Sequence, residues 1–471
     1  MNKKNLNVHF IGINGSGISG VACIAKNKGF NVSGCDLNKE GNYTNQLIAN
    51  NINIQQGHSV DHLKNIDLVV LSPALLYKDK YKEIPETKLA METMKTIKWQ
   101  QFLGEYIMKN QNIVAVAGTH GKTTTTTLTA LMLEKANFDP TVFVGGEVKE
   151  WGQNYRIGES NYFVCEADEY DSNFLYYNPK YVILNNLEME HPESFENFEK
   201  YKNNFINFLK TIQENGKLVF HYDDENVLNL IIPLIPEFKQ KNIELIAITF
   251  TKEIIFNNKN IKLIKAEIIN KNKVIINNKY ELEFQLLGEH NIKNIVISSI
   301  LSIEIGANIK DIQEVVKNFT GSKRRLDLIF SNNRIKLYDD YAHHQTQVYC
   351  TLKALKNNIK ANEEIIAILE PHLISRIKNN RREFEDALMI ADYPIITKIY
   401  KSRESFMDDT DVIKLLKNDK ITYIEDHNEL INTIIDIISK SNNNFSIIVM
   451  GAGNSYKIAN NLKEKLSSLQ I

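Results

Sequence analysis

Missing from this 471-residue chain is any uninterrupted apolar run approaching the ~18 residues that a membrane-spanning helix requires. An excess of one charge is missing too. The 56 Lys+Arg are matched by 57 Asp+Glu, which leaves no basic field of the kind that marks a dedicated nucleic-acid binder. Cysteine is scarce: Cys23, Cys35, Cys165 and Cys350 lie far apart with no CxxC pair, against a disulfide framework or a thiolate zinc site. No internal repeat is visible. The apolar share of 43% and charged share of 24% are those of a soluble globular protein. At ~100–200 residues per domain, the length suggests about three.

The opening MNKKNLNVHFIGINGSGISGVACIA pairs a basic lead with an apolar run, as a signal peptide does. Glycines at 12, 15, 17 and 20 and Asn14 break that run, which fits a strand–turn–helix better and places the protein in the cytoplasm. LNVHFIG, NVSGCDL and IDLVVLS then read as strands separated by helical patterns, the rhythm of βαβ units. That rhythm restarts at Asn112 with NIVAVAG, the helix KTTTTTLTALMLEKA, and the strands YFVCEA, YVILNN and KLVFHY. Between about 245 and 290 the pieces become short and β-like, with a hairpin-like KNKVIINNKYELEF. A third block carries IKLYDDYA, EIIAILEP, YPIITKIY and SIIVMGAG. The expected fold is α/β in three domains: Rossmann-like over 1–107, a central P-loop ATPase-like domain over 108–319, and a Rossmann-like domain over 320–471.

Two loops have the chemistry of phosphate cradles. Gly15, Gly17 and Gly20 follow the first strand as G-x-G-x-x-G, with Gly12 and Ser16 beside them and Asp36 at the next strand's end. A tight turn or a nicotinamide site would use the same glycines. Residues 112–127, NIVAVAGTHGKTTTTT, miss the strict G-x-x-x-x-G-K-[ST] pattern because position 116 is Val. Gly118, Thr119, His120, Gly121, Lys122, Thr123 and Thr124 still supply small residues, a cation for β/γ charge and a hydroxyl for Mg²⁺. Two consecutive cradles suggest ATP in one and a nucleotide-linked substrate in the other. Glu166, Asp168 and Glu169 cluster at a strand's C-terminal edge, where open α/β sheets bind ligands, although Asp168 and Glu169 also suit a solvated acidic turn.

In order along the chain, GTHGKTT, EADEYD, NNLEMEH, GEHNIKN, KRRLD, YDDYAHH, EPHLISR and MGAG resemble the sequence blocks of the Mur ligase family. The resemblance implies ATP-dependent ligation of L-alanine to the lactyl carboxylate of UDP-N-acetylmuramate, through an acyl phosphate, in peptidoglycan precursor synthesis. It implies ATP and Mg²⁺ as cofactors, and neither nucleic acid nor membrane as partner. Lys122, Glu166, His191 and Arg325 are the implied catalytic residues, and Thr123, Glu166 and His191 the metal ligands. Asn186, His290, Asn291, Asn294, Arg325 and Asp340 join the loop at ATP, although Asn291 equally suits a helix N-cap. Gly12, Gly15, Ser16, Gly17, Asp36 and Ser72 take the UDP-sugar; His343, His344, His372 and Arg376 take the amino acid. Arg376 suits a bidentate hold on a carboxylate, while Arg324 reads as a surface neighbour of Arg325. The chain departs from the family pattern in Glu190-His191-Pro192-Glu193, where Asp-His-Leu/Met-Asp is common, in Gln345-Thr346, where Pro-Thr is usual, and at Asn454, where Asp is common. A recycling ligase that attaches a ready-made tripeptide is the rival within the family. A nicotinamide oxidoreductase is the rival outside it, and it leaves Lys122, Glu166 and His191 without work.

Overall fold

The computed structural model describes residues 6–38, 40–41, 43–191, 194–251, 258–400 and 420–468. They form three sheets in two compact units. The first unit comprises residues 1–269, 273–283 and 294–317; the second comprises 270–272, 284–293 and 318–471. No helix among the described residues is long and apolar enough to cross a membrane.

The first sheet has five strands: β1 (Asn7–Ile11), β2 (Asn31–Asp36), β3 (Asn53–Gln56), β4 (Leu68–Leu71) and β5 (Thr96–Lys98). Their order is β3-β2-β1-β4-β5 and every pairing is parallel. Strand order therefore reverses between β1 and β4, the crevice where doubly wound sheets bind ligands. Val8 and Phe10 face the helix Ser16–Asn27, while Ile11, Cys35, Val69 and Leu71 pack on the other side. β1 (NVHFI) is covered on both faces, and His9 is the one polar side chain buried within it.

The second sheet has ten strands: β6 (Asn112–Ala117), β7 (Thr141–Val148), β8 (Gln153–Arg156), β9 (Tyr162–Glu166), β10 (Tyr181–Leu184), β11 (Lys217–His221), β12 (Glu244–Thr249), β13 (Ile261–Asn270), β14 (Lys273–Ile276) and β15 (Tyr280–Glu283). β6 lies between β10 and β9, both parallel to it, so the loop leaving β6 is flanked by the C-terminal ends of two neighbours. The KNKVIINNKYELEF segment is the β14–β15 hairpin. Helix Lys122–Lys135 follows β6. Its threonines are buried, and two return their hydroxyls to the backbone one turn back: Thr127 to Thr123 and Thr129 to Thr125. A seam of small polar groups joins it to the helix Glu289–Ile305. Ser298 Oγ donates to Thr125 O, and Ser302 Oγ lies 3.5 Å from Met132 Sδ.

In the second unit, β16 (Asp327–Ser331), β17 (Ile335–Asp340), β18 (Glu363–Leu369), β19 (Tyr393–Ile396), β20 (Thr422–Tyr423) and β21 (Asn444–Met450) form a sheet ordered β16-β17-β21-β18-β19-β20. Only the edge strand β16 runs antiparallel. The C-terminal ends of β17, β18, β19 and β21 share one edge, and they carry the YDDYAHH, EPHLISR and MGAG segments there.

Candidate active site

Gly118 and Gly121 bound the loop between β6 and helix Lys122–Lys135, with φ of 130° and 82°. A Cβ at Gly121 would lie 2.6 Å from Asn294 Oδ1, so conformation and space both demand glycine. Asn186 clamps the loop: its Oδ1 accepts from His120 N at 2.8 Å and its Nδ2 donates to His120 O at 3.0 Å. Thr119 Oγ1 donates to Glu188 O and accepts from Glu188 N. No side chain caps the helix that follows, so its positive N-terminal end faces the loop.

Lys122 begins that helix and bends back over the loop. Its Nζ donates to Gly118 O at 2.6 Å and to Glu169 at 2.8 and 3.0 Å. Burial alone would lower the ammonium's pKa, but Glu169, Asp168 and Glu166 outweigh it and hold the group above its ordinary value. Glu169 is fully buried and accepts a further bond from Tyr201 OH. This carboxylate is no solvated turn, and Tyr201 lies too far along the chain for any local pattern to connect the two. Donor atoms of Asp168, Glu169 and His191 lie within 4.8 Å of one another. Burial, and then the neighbouring Glu169, push Asp168 up, against Lys122 and His191. Glu166 Oε1 accepts from Gly145 N at 2.8 Å. Thr123 borders the adjoining Gly146, where a Cβ would sit 3.7 Å from its methyl. Pro192 and Glu193 lie outside the described residues.

At the reversal point of the first sheet, Gly12 and Ser72 meet: Ser72 N donates to Ile11 O, and a Cβ on Gly12 would fall 3.0 Å from Ser72 Cβ. Gly15 occupies the start of helix Ser16–Asn27, again without a side-chain cap. The other two glycines serve packing. A Cβ on Gly17 would approach Trp99 to 2.5 Å, and one on Gly20 would approach Asn154 Oδ1 to 2.9 Å. Ser16 O accepts from Asn154 Nδ2. Asp36 Oδ2 accepts from Asn14 N at 3.0 Å, so in this state it braces the loop itself.

In the second unit, Arg324 and Leu326 have φ of 57° and 47° on either side of Arg325. Asp340 holds this unusual turn, accepting from Leu326 N and Ala342 N, each at 2.7 Å. Arg325 stacks over Tyr341 at 5.2 Å. Arg324 differs from its surface reading. Its Nη2 donates to Gly451 O and Ser455 Oγ and its Nε faces Asp339, which pins it to the sheet edge. His343 and His372 rings meet edge-on at 5.4 Å, and His372 stacks on Tyr400. The buried Arg376 directs Nη1 to His372 Nδ1 at 3.4 Å. His344 begins the helix Gln345–Lys356 as its N-cap. Asn291 Nδ2 donates back to Leu287 O at 2.8 Å. A Cβ on Gly288 would strike His290 at 2.6 Å. Glu370 and Tyr400, which the motifs alone did not single out, line the same edge: a Cβ on Gly453 would collide with both. Glu370 signals itself only by opening EPHLISR, and Tyr400 by nothing local.

Three family models match in order: "Mur ligase family, catalytic domain" over 7–110, "Mur ligase middle domain" over 116–302 and "Mur ligase, glutamate ligase domain" over 324–453. The UDP-N-acetylmuramate–L-alanine ligase of Acetivibrio thermocellus is 36% identical over 79% of this chain and 77% of its own length. That of Persephonella marina is 30% identical over 99% and 98%. The crystal structure of UDP-N-acetylmuramate–alanine ligase from Thermotoga maritima superposes with a TM-score of 0.76, at 25% identity over 98% and 99%. A murein peptide ligase from Psychrobacter arcticus shares the fold, with a TM-score of 0.69 at 23% identity over 99% and 100%. With its three regions matched in sequence order and relatives at 30% identity or more along its length, this chain belongs to the Mur ligase family.

Proposed function

We infer that this protein is an ATP-dependent ligase joining L-alanine to the lactyl carboxylate of UDP-N-acetylmuramate. The observation that carries the reading is the Gly118–Lys122 loop with its buried carboxylate partner, in a chain similar along its length to ligases of that name. We assign the UDP-sugar to residues 1–107, ATP to 108–319 and the amino acid to 320–471.

The N-terminal end of helix Lys122–Lys135 and Lys122 itself hold the ATP phosphates. A carboxylate oxygen of the sugar attacks the γ-phosphorus, the bond to ADP breaks, and an acyl phosphate forms. Lys122 meets the charge that develops on the phosphoryl oxygens, and we assign Arg325 the same task. Arg376 offers its planar fork to the alanine carboxylate. The alanine amine then attacks the acyl carbon and loses a proton, and phosphate departs from the tetrahedral intermediate. Removing one preorganised donor from such chemistry typically costs ~10²–10³-fold in rate. The group of Asp168, Glu169 and His191 could hold a divalent ion, and we assign Mg²⁺ there, with Thr123 and Glu166 as the further ligands that the family resemblance implies. Bound there, the ion would neutralise charge on the β- and γ-phosphates.

Phosphate release with ATP, Mg²⁺ and UDP-N-acetylmuramate tests the reading, with L-alanine compared against L-serine, glycine and the tripeptide. L-Alanine should give the highest turnover. Turnover of the tripeptide without turnover of alanine would replace the reading with the recycling reaction.

A further inference from the structure

We propose that His9, Cys35, His62 and Glu86 form a binding site for a zinc-class divalent ion on one face of the first sheet. The register pairs His9 with Ser33 and Ile11 with Cys35, so the two-residue period sets all four on that face. Over it lie the short helical turn Val60–Leu63, carrying His62, and the helix Pro85–Thr93, carrying Glu86. His9, Cys35 and Glu86 have no exposed surface, and His62 has little.

Glu86 is the hub. Its Oε1 lies 3.3 Å from His9 Nε2 and 3.1 Å from His62 Nδ1, and its Oε2 lies 3.2 Å from Cys35 Sγ. One donor atom from each of the four residues falls within 4.8 Å of the others. Tetrahedral zinc, with bonds of about 2.0–2.3 Å, sets its donors roughly 3.3–3.7 Å apart, so small shifts accommodate the ion. One thiolate, two imidazoles and one carboxylate in a closed site are a zinc set and ill-suited to Mg²⁺.

The surroundings orient the donors as metal sites do. Ser33 Oγ lies 2.9 Å from His9 Nδ1, which leaves Nε2 facing the cluster. His58 Nδ1 contacts Cys35 Sγ at 3.3 Å and Glu86 Oε2 at 3.1 Å, as an outer partner to two ligands. A divalent ion at the centre of this cluster would draw the thiolate, the carboxylate and both imidazoles to one positive charge. Cys35 O also accepts from Gly12 N and Ile13 N, so the ion would fasten the strand end that supports the glycine loop. The ligands come from four elements and share no spacing signature, which hides the site from the sequence.

The full-length protein is equilibrated with ZnCl2, dialysed against buffer containing Mg²⁺, and its zinc measured; a parallel sample takes CoCl2 and is read by absorption. Wild type should retain about one zinc per chain and show a thiolate-to-cobalt charge-transfer band. Cys35→Ser should lose both. His62→Gln, at the partly open rim, should lose most of the zinc while melting cooperatively, and His58→Gln should bind ~10–100-fold more weakly. The band separates this site from the sulfur-free group at Asp168, Glu169 and His191. A wild type that retains no zinc, or zinc and band unchanged in Cys35→Ser and His62→Gln, would overturn the proposal in favour of a hydrogen-bonded network.

Discussion

Replacing Lys122 with Met removes the loop's cation and also strands Glu169, which has no exposed surface. Two unit charges ~3 Å apart interact by roughly 5–6 kcal/mol gross at an effective dielectric of ~20, and desolvation consumes much of that. Breaking such a pair from one side costs about 3–5 kcal/mol, because the remaining charge stays buried. Lys122 retains 16% of its side-chain exposure and a carbonyl partner at Gly118, so the reverse deletion, Glu169→Gln, should cost less, about 1–2 kcal/mol. The double variant should recover ~2 kcal/mol relative to the sum of the singles. The assay is a double-mutant cycle by urea denaturation, followed through the first unit and read beside ligase activity. Activity should be lost wherever Lys122 is lost. Additivity within ~0.5 kcal/mol would refute the coupling, and with it the claim that Glu169 positions Lys122.

Other consequences can be checked separately. Gly17→Ala forces Trp99 aside and should weaken UDP-N-acetylmuramate binding while sparing ATP binding, as read by ligand-induced melting shifts. Arg376→Lys keeps charge but loses the fork, so the KM for alanine should rise ~30–150-fold, from ~2–3 kcal/mol, while UDP-sugar affinity holds. Asp339 is pushed to about 6 from 3.8, by burial first, with Asp340 and Asp327 adding and Arg324 opposing. The folded state therefore binds the extra proton between those values, so this group's contribution to stability falls as pH rises from about 4 to 6. Asp339→Asn should flatten that slope in pH-dependent denaturation.

What could be read from the sequence followed from strong local signals. Buried parallel strands announce themselves by short continuous apolar runs such as IVAVA in β6 and IIVM in β21, and the glycines of the β6 loop mark its left-handed turns. Strands with weak or broken patterns escaped: three of the four residues of NIQQ in β3 are polar, TIK in β5 is three residues long, and TVFVGGEV in β7 is cut by two glycines. Site chemistry followed the same divide. Lys122 and Glu166 stand inside recognisable blocks, but the burial of Glu169 depends on Tyr201 arriving from a distant helix. Gly17 and Gly20 read as phosphate glycines, yet their lack of side chains also serves Trp99 and Asn154. Arg324 looked peripheral because its partners, Gly451 and Ser455, lie more than a hundred residues away.

Carboxylate activation is the centre of this account, and oxygen transfer tests it most directly. UDP-N-acetylmuramate labelled with ¹⁸O in both lactyl carboxylate oxygens is turned over with ATP, Mg²⁺ and L-alanine, and phosphate and product are analysed by mass spectrometry. An acyl phosphate requires that each released phosphate carry one ¹⁸O, while the other remains in the new alanyl amide. Unlabelled phosphate, or label retained entirely in the sugar after ATP is consumed, would contradict it.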